Sequence, residues 1–263
     1  MDLQLQGRTA FVSGSTQGIG FAIASALAAE GAAVVVNGRS ADSVDRAVAA
    51  LRAAHPGVVH RGVAADFARV DEVDRLHDEL GEVDILVNNV GLFGLAEFAD
   101  IDDDDWARYL EVNLMSAVRL SRRLLPGMLE RGWGRVLLVS SESGVNVPAD
   151  MIHYGVTKAG MIALGNGLAK LTRGTAVTVN TILGGPTYSE GVAGAVAAIA
   201  DAQGAPEDVV KAAVIGQNAT TLLERFLEPR EVAHLAVYLA SPLSSATNGA
   251  AIRADGGVLT AML

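Results

Sequence analysis

Cysteine is absent from the 263-residue chain, which excludes disulfides, a thiolate nucleophile and cysteine-based zinc sites. That is compatible with a reducing compartment. Proline is scarce, 7 residues against 29 glycines, and no low-complexity tract accounts for the glycines, so they read as local punctuation. No run approaches the roughly 18 consecutive apolar residues that a membrane helix needs. The opening MDLQLQGRTAFVSG has no basic segment leading into an apolar core, so no signal peptide is expected. Positive charge is the minority, 20 Lys and Arg against 30 Asp and Glu for a net charge of −10, which argues against a nucleic-acid surface. None of the five histidines has metal-ligand spacing with another. The run DIDDDDW at 100–106 reads as a helix start, with carboxylates favoured by the macrodipole, rather than as a metal site. The expectation is a cytoplasmic protein with no metal and neither nucleic-acid nor membrane partners.

What is present is half hydrophobic, enough for a sizeable core. Short valine-rich runs alternate with longer helical patterns. Strands are expected at 8–14, 32–38, 58–66, 83–91, 134–144, 175–185 and 249–257. Helices are expected at 21–31, 43–55, 106–129 and 151–172, with a helical region up to about 240. Strands apolar on both faces and separated by helices indicate a parallel sheet covered on both sides. With no linker or composition shift, residues 1–263 read as one α/β domain, a Rossmann-type doubly wound parallel sheet of about seven strands flanked by helices.

The first strand runs into SGSTQGIG (13–20), where a helix begins at once. Gly14, Gly18 and Gly20 suit a tight turn, a close approach of pyrophosphate and a helix start that offers free N–H groups to phosphates. The spacing G-x3-G-x-G differs from the usual G-x-G-x-x-G, and three loop glycines alone could be turn chemistry. Around the second strand's end, residues 37–40 carry no acid to bind the ribose hydroxyls of NAD, whereas Arg39 can meet the 2′-phosphate of NADP. NADP(H) is therefore expected, with NAD(H) as the alternative and a solvent-facing or adenine-stacking Arg39 as the plain reading. Asp66 follows the third strand and could accept from an adenine amino group. NNVG (88–91) follows the fourth, with Gly91 allowing close approach.

MIHYGVTK (151–158) places Tyr154 and Lys158 one helical turn apart on one face. Ser140 and Ser141 end the strand before them, at the same sheet edge, and Asn113 lies in the long helix before that strand. A free phenol near pKa 10 is a poor base at neutral pH; a fixed ammonium nearby would favour phenolate.

Together these motifs, SGSTQGIG, NNVG, Asn113, Ser141, Y-x3-K at 154–158 and the tail PREVAHLAVYLASPLSSATNGAAIRADGG (229–257), resemble the short-chain dehydrogenase/reductase family from end to end. The overall look is that of the 3-oxoacyl-acyl-carrier-protein reductase branch. The resemblance implies an oxidoreductase passing hydride between a nicotinamide and a carbonyl or secondary alcohol. Tyr154 would be general acid/base and Lys158 would lower its pKa and hold the nicotinamide ribose. Ser141, thirteen residues before Tyr154, would donate to the substrate oxygen, and Asn113 would hold water behind Lys158. Ser140 is then a neighbour satisfying local backbone. Cofactor contacts are expected from Gly14, Ser15, Thr16, Gln17, Gly18, Ile19 and Gly20; from Asn37, Arg39 and Ser40; from Asp66 and Phe67; from Asn89 and Gly91; from Tyr154 and Lys158. The family's Pro-Gly pair appears here with Gly184 in the proline's place, a loosening change, and Gly185, Pro186 and Thr187 would lie beside the nicotinamide carboxamide.

Residues 188–225 resemble the family's variable substrate lid, with two plain packing helices as the alternative. Leu92, Phe93, Met151 and Ile152 are candidate walls of an apolar pocket for a small substrate, which Ser141, Tyr154 and Phe93 would touch. Glu142 and His153 flank the catalytic positions and are expected to face away. Family members are mostly tetramers or dimers, so a homo-oligomer is implied. The rivals are a regulator that binds NADP(H) without chemistry, and a Rossmann-type methyltransferase, which the intact Y-x3-K disfavours.

Overall fold

In the computed structural model, which describes residues 1–262, seven strands form one parallel sheet: β1 (Thr9–Val12), β2 (Ala33–Gly38), β3 (Arg61–Ala64), β4 (Ile85–Asn88), β5 (Trp133–Ser141), β6 (Ala176–Gly184) and β7 (Ala251–Ala254). Their order is β3-β2-β1-β4-β5-β6-β7. The chain builds outward from β1 in one direction, then returns to build from β4 in the other. At that reversal the loops leaving β1 and β4 part, opening a crevice at the carboxyl ends of the strands.

Side-chain alternation along the strands sorts the core into two layers. Ala10, Val12, Val34 and Val36 face one side, where they pack with α1 (Gly18–Ala29), α2 (Ala41–Ala54) and α9 (Pro229–Ala240). Phe11, Val35 and Val63 face the other, against α3 (Val70–Leu80), α5 (Ser116–Glu130) and α6 (Ile152–Leu171). Both sheet faces are covered, which is why the strands read as continuous apolar runs rather than alternating ones. Between β6 and α9 lie α7 (Glu190–Gln203) and α8 (Glu207–Gly216). Their buried residues Val196, Ala200 and Val210 form a small cluster of their own.

The helix expected over 106–129 is divided. The acidic run starts α4 (Asp103–Tyr109), capped by Asp102, whose carboxylate accepts from the Asp105 N–H at 2.8 Å. A π-helical segment, Leu110–Met115, then precedes α5. Single π-turns widen a helix and reset the faces on either side; this one carries Asn113, fully buried.

Arg135 is the largest fully buried side chain. Its guanidinium donates to the carbonyls of Gly134 (2.9 Å), Ala176 (2.7 Å) and Ser241 (3.3 Å). It also sits 4.7 Å from the Trp133 ring centroid, with Arg8 at 3.7 Å. Burial, and then the charge of Arg8, bring its pKa down to about 10.

Candidate active site

The glycine loop between β1 and α1 is held by neutral amides and hydroxyls. Asn37 Oδ1 accepts from the Gly14 N–H at 3.0 Å, and Asn89 Nδ2 donates to the carbonyls of Ser13 and Gly14, each at 3.0 Å. A β-carbon at Gly20 would collide with the Gly14 carbonyl and the Asn89 amide, so glycine there is a packing requirement. No side chain caps α1 at Gln17. One exposed N–H of its first turn, that of Gly18, donates to Glu190 Oε2 at 2.7 Å. The turn already seats one anion, and it opens on a cleft of about 320 Å³ that also reaches Arg39, Asp66 and Gly91. Backbone donors, a steric need for glycine and a basic residue past β2 fit a dinucleotide phosphate cradle.

Most residues expected at this cradle line the cleft: Gly14, Thr16, Gln17, Gly18, Ile19, Gly20, Asn37, Arg39, Asp66, Phe67, Asn89 and Gly91, with Phe93 at the rim. Two do not. Ser15 is fully buried and its hydroxyl donates to the Val12 carbonyl at 2.6 Å while accepting from the Asn37 N–H, so it closes the turn from inside. Ser40 caps α2 through the Ser43 N–H. Asn37 lines the cleft, but its amide also donates to the carbonyls of Val63 and Ala65. Gly185, Pro186 and Thr187 stand back from the cleft lining, where the chain instead presents Ser189, Glu190 and Gly191. The signal for that stretch was Ser189, a helix cap before Glu190. Gly184 does not loosen a turn: it ends β6 inside the ladder, opposite Ser141 and Ala254.

The second edge is built where β5 ends. Residues Glu142–Gly144 form a 3-10 turn that packs on α6 so closely that a β-carbon at Gly144 would lie 2.8 Å from the Lys158 backbone carbon. That approach brings Ser141 to the Tyr154 phenol. Ser140 is spent on structure, donating to the Lys158 carbonyl at 2.8 Å. Lys158 is buried, donates to the Val139 carbonyl at 2.9 Å, and reaches the side of Gly91 where a β-carbon would sit 3.4 Å away. Its ammonium is 5.6 Å from the Tyr154 ring centroid. Asn113 accepts from the Leu92 N–H at 2.6 Å and donates to the Leu92 carbonyl and Thr157 Oγ1, both at 3.0 Å. These bonds pin the loop after β4 to α6.

Electrostatics here differ from the expectation in one respect. Burial pushes the Tyr154 phenol well above its ordinary value; the Ser141 hydroxyl opposes the rise, and the charges of Glu142 and Tyr109 add to it. Lys158 itself is brought down to about 8 by burial, against the opposing charge of Glu142. Glu142, expected to face away, turns inward: Ser141 Oγ donates to its Oε2 at 2.5 Å. His153 does face away, its ring centroid 3.9 Å from that of Tyr109 and 6.3 Å from that of Trp106.

This geometry has known counterparts. A family model described as enoyl-(acyl carrier protein) reductase matches residues 14–259. The chain belongs to the short-chain dehydrogenase/reductase family. As a short-chain dehydrogenase/reductase it is an oxidoreductase acting on a CH–OH/C=O pair. It is 45% identical over 267 residues to YvrD, an uncharacterized oxidoreductase of Bacillus subtilis, covering 100% of both chains. It is 32% identical over 262 residues to the 3-oxoacyl-acyl-carrier-protein reductase FabG of Aquifex aeolicus, covering 98% of this chain and 100% of that one. The crystal structure of L-sorbose reductase from Gluconobacter frateurii, complexed with NADPH and L-sorbose, superposes with a TM-score of 0.93 at 31% identity over 100% of both chains.

Proposed function

We propose that this short-chain dehydrogenase/reductase is an NADP(H)-preferring carbonyl reductase or alcohol dehydrogenase whose proton donor and acceptor is Tyr154. The observation that carries the reading is that Ser141 and Lys158 both meet Tyr154, with the Lys158 ammonium at the side of Gly91, which lines the cleft. A nicotinamide dinucleotide held in the cleft supplies or accepts the hydride. The N–H groups at the start of α1 hold its phosphates, and Gly14, Gly18 and Gly20 let them approach. Arg39, exposed at the rim and in no ion pair among the described residues, meets the 2′-phosphate. Support for that choice comes from the absence of an acid at 37–40 and from the NADPH in the sorbose reductase complex.

Ser141 binds the reacting oxygen, and the phenol of Tyr154 gives it a proton in reduction or removes one in oxidation. A phenol with a raised pKa is protonated at neutral pH, the form that can give its proton to a developing alkoxide. Lys158 places a buried positive charge beneath Gly91, available to a ribose hydroxyl and to any phenolate that forms. Leu92 and the half-exposed Phe93 give the substrate apolar walls. Residues 188–225 act as the lid of a single 1–263 domain, their small separate core letting them move as a unit. The working form is a cytoplasmic homo-oligomer, a tetramer or dimer, which light scattering on the eluted peak tests directly.

The test is calorimetric titration with NADPH and NADH at matched salt, on the wild type and Arg39→Ala, followed by NADPH consumption with a carbonyl panel. NADPH binding that Arg39→Ala weakens about tenfold, with NADH unchanged, is expected. Equal NADH binding overturns the preference. Binding without consumption of any carbonyl would hand the reading to the non-catalytic regulator.

A further inference from the structure

One half-buried acid beside the catalytic residues has no task in this reaction. Glu142 follows Ser141 directly, and its carboxylate lies within the catalytic edge: Oε2 accepts from Ser141 Oγ at 2.5 Å and Oε1 from Ser143 Oγ at 3.2 Å. No Lys, Arg or His pairs with it among the described residues. Its charge acts on both Tyr154 and Lys158 on α6, and its bond to Ser141 Oγ places it beside the reacting centre. Burial raises its own pKa, opposed by the Ser141 and Ser143 donors.

Ser141 owns one hydrogen. While Ser141 donates that hydrogen to Glu142 it cannot donate to a substrate oxygen, and once a carbonyl takes it the carboxylate is left short of a donor in a site only partly open to water. An unsatisfied buried acceptor is costly, most of all a charged one. The substrate can restore the balance by bringing a donor of its own. Ser141 Oγ and Glu142 Oε2 are so close that the two substrate atoms they hold must also be near neighbours, as are oxygens on adjacent carbons.

We infer that Glu142 is a specificity-determining residue that selects a substrate with a hydroxyl on the carbon next to the reacting carbonyl: an α-hydroxyketone in reduction, a vicinal diol in oxidation. The inference rests on the reductase reading. Ser141 donates to the carbonyl oxygen and Glu142 accepts from the neighbouring hydroxyl. That hydroxyl keeps its O–H bond throughout, while the carbonyl carbon gains the hydride and its oxygen gains the Tyr154 proton. A plain ketone of the same shape leaves Glu142 unpaired and is disfavoured, because a site built around a substrate hydroxyl rejects the analogue that lacks it.

The experiment compares kcat/KM with NADPH for matched pairs, acetoin against 2-butanone and 2-hydroxyacetophenone against acetophenone, in the wild type, Glu142→Gln and Glu142→Leu. NADPH titration checks that each variant is folded. The wild type is expected to favour the hydroxyketone of each pair by at least about tenfold. Glu142→Leu should bring the ratio towards one, by losing the hydroxyketone and keeping or improving the plain ketone. Glu142→Gln, which keeps an acceptor oxygen without the charge, should fall between. General damage would lower both members of a pair alike and leave the ratio standing, and that result overturns the inference. So does a wild-type ratio near one, or turnover of an acetoacetyl thioester and of neither hydroxyketone; in those cases the reductase reading survives. Failure to reduce any carbonyl, with NADPH bound, overturns that reading and this inference with it.

Discussion

On the glycine-loop side of the cleft, the buried polar groups are neutral and matched to one another. Ser13, Ser15, Asn37 and Asn89 exchange hydrogen bonds with backbone groups of β1, β2 and β4. On the α6 side, a buried ammonium stands with a half-buried carboxyl and a half-buried phenol, and loss of water is the first cause of the pKa shift of all three. The first edge is a shaped mould whose requirement is steric. The second is held away from electrostatic comfort by the fold around it, as groups that must gain and lose protons are. Substitutions on the two sides should therefore fail in different ways.

The largest effect should come from Tyr154→Phe. Removing the proton carrier should lower kcat/KM by about 10²–10⁴-fold while NADPH affinity stays within about twofold, a split read by pairing steady-state kinetics with titration. A parallel loss of binding would mean that the two edges are not separable.

Lys158→Met tests the discomfort itself. The native pKa, about 8, lies below the ordinary 10.5, so the unfolded chain holds this proton more tightly than the folded one. The resulting cost to the native state is fully present below about pH 8 and fades as pH rises towards 10.5. The methionine variant should thus be inactive yet more stable at pH 7, by up to about 3 kcal/mol less the lost bond to Val139, with the gain shrinking by pH 10. Urea unfolding at the two pH values measures both.

Gly20→Ala should show the opposite profile. The new methyl has no room against the Gly14 carbonyl and the Asn89 amide. Stability should fall by about 1–3 kcal/mol and NADPH affinity with it, at any pH. The smallest expected change is Glu190→Gln. The carboxylate at the Gly18 N–H competes with phosphate for the same donors, so removing its charge should tighten NADPH binding a few-fold, as calorimetry reads it. Weaker binding would make Glu190 a supporting contact.

Much of this was legible in the sequence, because the demands that shape it are local. Valine runs between helical patterns announced the parallel sheet, and the glycines announced a turn whose tightness the structure locates at Gly20. Ser141 was chosen over Ser140 because the family's serine stands about a dozen residues before its tyrosine. What was not legible depends on rotation and partnership. The π-helical segment at Leu110–Met115 has no apolar period to betray it, yet it sets where Asn113 points. Glu142 was expected to face away because adjacent residues alternate sides in a strand. The chain leaves β5 at Ser141 and enters a 3-10 turn, and the alternation ends with the strand. Ser15 looked like a phosphate ligand by position, but its side chain turns into the loop it closes. Gly185–Thr187 and Ser189–Gly191 differ by a few residues, and only the path of the chain after β6 tells which group reaches the cleft.

Arg135 ties the order of synthesis to the sheet. Its guanidinium has no carboxylate partner among the described residues; among the carbonyls it relies on is that of Ser241, at the far end of α9. A nascent chain that has made β5 and β6 but not α9 carries this cation short of an acceptor, so the central strands gain their full protection only when α9 and Ser241 arrive. Amide hydrogen exchange should accordingly show β5 and α9 opening together as one cooperative unit, and a chain stopped before Ser241 should remain open to proteases along β5, far from the truncation in sequence.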